Sequence, residues 1–357
     1  MRKSISALCA TAAIASMTFV SCNSQPEKTP ADKLLDIINR GIEQKVIMFG
    51  HQDDTAYGHT WKYEEGRSDV LETAGDYPAV MGWDLGRIEF DDSVNLDGVP
   101  FDFMRAEIQK QHARGGINTL SWHAYTPEGK DSWMKELGVV TTILPGGANY
   151  DAFQKYLERA ANFLLSLKDE NGELIPVIFR PWHEHIGNWF WWGENRCTHA
   201  EYVALWDMTF EYMNAKGLNN LVWAYMPYRK LEEKMPSAEK YDMYGLDTYQ
   251  HADDPTKYIQ ETKDGIAYMK TLSEQYNKPI ALTETGYEGV KTLNWWTEIL
   301  NEIIKDEPIS YVLVWRNAWD KPEHFYGSYA GHESEADFVK FAEKPEIIFA
   351  DEVKGIN

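Results

Sequence analysis

A short apolar run ending in polar or aromatic residues, followed by a stretch of helical period, recurs eight times along this chain and limits the folds open to it. The runs cover residues 46–50, 79–84, 117–123, 174–184, 221–225, 243–249, 280–284 and 309–316. They are continuously apolar rather than alternating, the pattern of parallel strands buried beneath helices. Between them, Phe153, Tyr156, Leu157, Ala160, Leu164 and Leu167 form one helical stripe. Thr198 with Glu201 makes a capping box ahead of a second stripe of Tyr202, Leu205, Trp206, Thr209 and Met213. Eight such units predict an α/β fold, a (β/α)8 TIM barrel in a single domain over residues 32–357. A helix from Asp32 opens it, and a peripheral helix and tail follow Gly331. A doubly wound open sheet is the alternative. No Gly-x-Gly-x-x-Gly follows any strand and no Walker-type loop is present, so nucleotide binding lacks support.

In a barrel the strand C-termini open on one face, which carries the site. The predicted ends bring His51, Asp84, His123, His183 and Glu184 to that face, with Tyr225, Asp247, Tyr249, Glu284, Trp315 and Arg316 completing the ring. Residues 180–193 read Arg-Pro-Trp-His-Glu-His-Ile-Gly-Asn-Trp-Phe-Trp-Trp-Gly and set Glu184 among rings. A carboxyl group there loses water, so its proton is held more tightly, which suits a general acid. Glu284 closes the seventh run and faces Glu184 across the mouth. Two carboxylates about 5 to 5.5 Å apart suit glycoside hydrolysis with retention, one as acid/base and one as nucleophile. Arg180 and Trp182 share strand parity with Glu184, so Arg180 points inward one layer below. It can donate to Glu284 or serve as a barrel ion pair, and the two are compatible. Tyr249 offers a second donor, and Asp247 can fix His183 or a sugar hydroxyl. Trp189, Trp191, Trp192 and Trp315 read as platforms for pyranose faces.

Metal chemistry finds little footing. His183-Glu184-His185 lacks zincin spacing, because Gly187 stands where the second histidine is needed. Asp53-Asp54 and Asp91-Asp92 lack the calcium-loop pattern, and no Gly-x-Ser-x-Gly appears. Neither a metal nor a cofactor is expected.

Arg2 and Lys3 precede an apolar run over 7–20, too short for a permanent bilayer span and laid out as an export signal. Residues 19–22, Phe-Val-Ser-Cys, resemble a bacterial lipobox. That makes residues 1–21 a lipoprotein signal peptide, Cys22 the lipidation site and residues 22–31 a tether. Cys9 falls in the signal, so Cys197 has no mate and no disulfide is expected. The formal charge of −21 disfavours phosphate backbones and anionic lipid surfaces. A neutral partner fits better, with no nucleic acid, membrane contact through the lipid anchor only, and a monomer expected. Before residue 32 the tether's only acid is Glu27, and the acid-rich stretch of some surface-exported lipoproteins is missing. This favours a periplasm-facing lipoprotein over a cell-surface one.

Residues 180–193 closely resemble the acid/base signature of glycoside hydrolase family 26, the β-mannanases. Residues 50–58, 245–249, 282–286 and 314–316 resemble further strand-end blocks of the family, in order, over about residues 40–330. The resemblance implies a retaining (β/α)8 hydrolase with Glu184 as acid/base and Glu284 as nucleophile. By position it also marks His123, His183, Trp189, Asp247, Tyr249, Trp315 and Arg316 as lining the sugar site, with Arg180 supporting from beneath. Mannan, galactomannan or glucomannan is the favoured substrate class. Xylan or mixed-linkage β-glucan is the alternative, and a non-catalytic glycan-binding lipoprotein is the reading from another class. Endo cleavage or mannobiose release depends on walls such as residues 85–100.

Overall fold

The computed structural model describes residues 27–227 and 235–356. The signal peptide, Cys22 and the start of the tether lie outside the described residues. Eight parallel strands form the barrel: β1 Ile47–Gln52, β2 Val80–Asp84, β3 Ile117–Trp122, β4 Val177–Pro181, β5 Leu221–Tyr225, β6 Met243–Gln250, β7 Ile280–Tyr287 and β8 Ile309–Val314. β8 pairs with β1, Met48 beside Tyr311, and this closes the ring. Helices run between successive strands and cover the barrel, as the expected (β/α)8 fold requires.

Two apolar layers hold it together. Met48, Val80, Ile178, Ala281 and Leu313 belong to an inner cluster shared with Leu34 and Ile38 of the first helix, Pro30–Glu43, which plugs one end of the barrel. A larger cluster lies between strands and outer helices. Both predicted stripes sit in it, on helices Tyr150–Ser166 and His199–Ala215. The Thr198–Glu201 capping box is formed. A second capping box, Thr29 with Asp32, starts the first helix at Pro30, inside the stretch read as tether. Pro30 at the first helical position loses no hydrogen bond by lacking an N–H.

The stretch after Gly331 is more than a peripheral tail. Helix Glu335–Ala342 sets Phe338 against Phe49, ring centroids 5.3 Å apart, and against Trp296 at 4.7 Å. A ninth strand, β9 Ile347–Ile348, then pairs in parallel with β1. Two residues are too few to establish a period, so nothing in the sequence announced it.

One irregularity matters for function. Between Leu246 and Asp247 the pairing of β6 with β7 shifts, Leu246 lying opposite Leu282 but Asp247 opposite Glu284. The bulge leaves Thr283 over and brings two carboxylates side by side. Because Phe338 is fully buried against β1, Phe338→Ala is expected to lower stability by about 3–5 kcal/mol. Denaturant unfolding followed by tryptophan fluorescence measures this, and an unmoved midpoint would show that the C-terminal helix is dispensable.

Candidate active site

The strand-like order of the fourth repeat stops at Pro181, and Trp182 and Glu184 both take left-handed backbone angles, φ 54° and 51°. Non-glycine residues occupy that region at a cost and only where surrounding structure enforces it. The double turn resets the parity expected from the sequence. Arg180 does point into the barrel, but Trp182 turns outward, its indole N–H donating to Thr209 Oγ1 on helix His199–Ala215 at 3.1 Å. Glu184 is delivered back to the mouth by the second turn. Trp189 Nε1 donates to Glu184 Oε2 at 2.6 Å. That approach needs Gly187, where a Cβ would lie 2.2 Å from the Trp189 ring.

Arg180 is 5% exposed and joins two acids: Nη1 donates to Asp247 Oδ2 at 2.8 Å, and Nη2 donates to Glu284 Oε1. Tyr249 Oη donates to Glu284 Oε2 at 2.7 Å, so Glu284 receives the two donors the sequence suggested for it. Asp247 differs from expectation. Thr283, the extra residue of the bulge, donates to Asp247 Oδ1 at 2.6 Å, and with Arg180 on Oδ2 the carboxylate is engaged on both oxygens, neither of them by His183.

One oxygen from each of Glu184, Asp247 and Glu284 lies within 4.8 Å of the other two. Such a set could hold a cation, but the Arg180 guanidinium already lies against two of the three and supplies positive charge from the chain itself. The environments of the two glutamates diverge. Crowding by protein, and then the charges of Glu284 and Asp247, push Glu184 up to about 8, so it holds a proton at neutral pH. Glu284, by contrast, accepts from a donor on each oxygen, Arg180 on Oε1 and Tyr249 on Oε2.

The two histidines are in contact. His123 Nε2 lies 3.3 Å from His183 Nε2, and His183 Nε2 lies 3.9 Å from Glu284 Oε1. Burial, together with Arg180 and His123, holds His183 well below its ordinary value, so it is neutral. Burial also opposes charge on His123, but Asp84, with its oxygen 2.7 Å from Nδ1, outweighs it and His123 rises to about 9.

The aromatic residues divide differently from the sequence reading. Trp191 and Trp192 are fully buried and donate to the carbonyls of Ala124 and His183, both at 2.8 Å, so they are core and not sugar platforms. Trp189 and Trp315 keep part of their surface at the mouth, Trp315 edge-on to His123 with centroids 6.2 Å apart. Phe190, which the sequence did not single out, packs against both His123 and His183. Exposed Trp133 reaches the same ring at 4.9 Å.

Arg316 reaches the mouth but is committed to the wall, with Nη2 3.0 Å from Asp97 Oδ1. Asp97 lies in residues 85–100, and no spacing in the sequence connects it with Arg316. Tyr63 pins the same segment by donating to the Gly98 carbonyl, and Asn95 Nδ2 donates to the Asp84 carbonyl at 3.1 Å.

The profile described as Glycosyl hydrolase family 26 matches residues 22–322. A mannan endo-1,4-beta-mannosidase from Bifidobacterium adolescentis is 30% identical over 332 residues, covering 85% of this chain and 33% of that protein. One from Bacillus subtilis is 26% identical over 341 residues, covering 87% and 84%. The chain thus spans a third of the first relative's length and most of the second's. Among solved structures, the GH26 beta-mannanase BoMan26A from Bacteroides ovatus aligns with a TM-score of 0.87 at 44% identity, covering 90% of this chain and 96% of that one.

Arg180→Ala is expected to lower stability by about 3–5 kcal/mol, because Asp247 and Glu284 would face each other without their shared cation. Chemical denaturation of the variant tests this. Stability within about 1 kcal/mol of the parent would mean the guanidinium does not hold these acids together.

Proposed function

We propose that this chain, which belongs to glycosyl hydrolase family 26, hydrolyses the β-1,4-mannosidic bonds of mannans by a retaining double displacement. The observation that carries the mechanism is a pair of carboxylates, one oxygen of each within 4.8 Å of one of the other, in opposite environments. Retaining pairs sit about 5–5.5 Å apart, whereas inverting pairs need about 6.5–9.5 Å to admit a water. Glu184, protonated at rest, gives its proton to the glycosidic oxygen as the bond breaks. Glu284, held by Arg180 and Tyr249, attacks the anomeric carbon from the opposite face and forms a glycosyl ester. Glu184, now ionised, takes a proton from water, and the resulting hydroxide-like oxygen displaces Glu284 and restores both groups.

His123, His183, Trp189 and Trp315 line the sugar at the cleavage point in this reading, with Asp247 and Arg180 acting through Glu284. Mannan is favoured because the relatives cited above are named as mannanases. A second reading concerns the products, mannobiose release from chain ends rather than endo cleavage. The wall over residues 85–100 favours it, since Arg316, Tyr63 and Asn95 tie that segment down beside Asp84 and His123. We also propose that the chain is exported and anchored through Cys22, facing the periplasm. Protease accessibility in intact cells tests this: digestion of the protein in intact cells would place it on the outer surface.

Three outcomes are expected. On mannan, galactomannan, glucomannan, xylan and β-glucan, activity appears on the mannans, with mannobiose alone if the wall closes the cleft and an oligomer ladder if it does not. Activity confined to xylan or β-glucan would refute the substrate, and activity on none would favour a binding protein. Glu284→Ala abolishes turnover, whereas Glu184→Ala with an activated substrate and azide yields a glycosyl azide. Normal turnover by either variant contradicts the assignment. Because a general acid must carry its proton, kcat/KM falls as pH rises through about 8, where Glu184 loses it.

A further inference from the structure

Asp84 is fully buried at the end of β2 and takes no part in the displacement described above. Its four hydrogen bonds all come from donors. Oδ1 accepts from the backbone N–H of Gly86 at 2.7 Å and of His123 at 3.3 Å. Oδ2 accepts from Ser121 Oγ at 2.6 Å and lies 2.7 Å from His123 Nδ1. A carboxylate so surrounded accepts at every lone-pair position and stays ionised. It therefore fixes a proton on His123 Nδ1.

The other nitrogen of His123 lies 3.3 Å from His183 Nε2, and two ring nitrogens at that distance share one proton. His183 is neutral, as argued above. If His123 is doubly protonated, its Nε2–H donates to His183 Nε2, and the His183 proton sits on Nδ1, which has no partner among the described residues. The charged groups around His123 agree with a cation there. Asp84 faces it from β2, Glu284 from β7 and Asp97 from the wall, while Glu184 in the turn after β4 holds its proton and, like the rings of Phe190 and Trp315, adds no charge at neutral pH.

We propose that Asp84 is a positioning residue that keeps His123 as an imidazolium at the sugar site and through it holds His183 as a neutral acceptor. Asp84, His123, His183 and Glu284 then form one line across the mouth from β2 to β7. Its effect on catalysis rests on the glycosidase reading. The imidazolium, its Nδ1–H held by Asp84 and its Nε2–H by His183, adds positive charge near the nucleophile through His183, whose Nε2 lies 3.9 Å from Glu284 Oε1.

The test has two arms. Nitrogen-15 NMR of histidine-labelled full chain without substrate is expected to find both His123 nitrogens protonated at pH 7. In Asp84→Asn the proton is lost about 1–3 pH units lower. A neutral His123 at pH 7 in the parent overturns the proposal even if the variant fails to fold. In the second arm, the alkaline limb of kcat/KM on manno-oligosaccharides moves toward acid in Asp84→Asn, because the cation disappears first. If Asp84 acted only through Glu184, loss of the His123 charge would raise the Glu184 proton affinity and move the limb the other way. A limb that stays in place or moves toward alkali overturns the proposal. The NMR arm needs no substrate, so an enzyme inactive on every glycan would refute the glycosidase reading without deciding where the proton sits.

Discussion

The guanidinium of Arg180, buried between Asp247 and Glu284, is the interaction on which the rest of the site depends. Three ionisable groups taken out of water are costly unless each is paired and hydrogen-bonded. Here the shortfall is met locally: Thr283 completes Asp247, and Tyr249 completes Glu284. The bulge in β7 is what makes this possible, since regular pairing would place Glu284 one residue out of step with Asp247. A backbone irregularity and a buried cation thus hold one carboxylate by donors on both of its oxygens.

The other carboxylate is defined by contrast. Glu184 lies on a left-handed residue beyond the end of β4, beside an indole donor and facing the acids that Arg180 neutralises only in part. Its proton is retained by crowding and by like charge. The two histidines are separated in a similar way: Asp84 charges His123 against the cost of burial, while burial, and then the cations Arg180 and His123, keep His183 neutral. Protons are therefore placed alternately around the mouth by neighbours on different strands. Such placement demands the rigidity of a closed barrel, plugged at the opposite end by the first helix.

What could be read from the sequence was whatever has a period or a fixed place relative to a strand end. The eight runs became the eight strands, and the stripes on residues 153–164 and 202–213 became the buried faces of two helices. Arg180 points inward as expected, although the shared parity with Glu184 that led to that expectation does not hold. Tyr249 was legible as a donor to Glu284 because strand order places it. Features made by local irregularity were not. The left-handed turns at Trp182 and Glu184 broke the parity argument, and the bulge at Thr283 redirected Asp247. Trp191 and Trp192 looked like platforms because composition cannot reveal that two carbonyls lie in reach of their N–H groups. The Arg316–Asp97 pair joins loops distant in sequence, and only the closed fold brings them together.

The central claim is that Glu284 forms a covalent bond to the sugar, and the stereochemistry of the first product tests it most directly. Proton NMR of an oligosaccharide digest, recorded before mutarotation, is expected to show the newly formed reducing end with the β configuration of the bond that was cut. Early accumulation of the α anomer would mean a single displacement by water and would contradict the role assigned to Glu284.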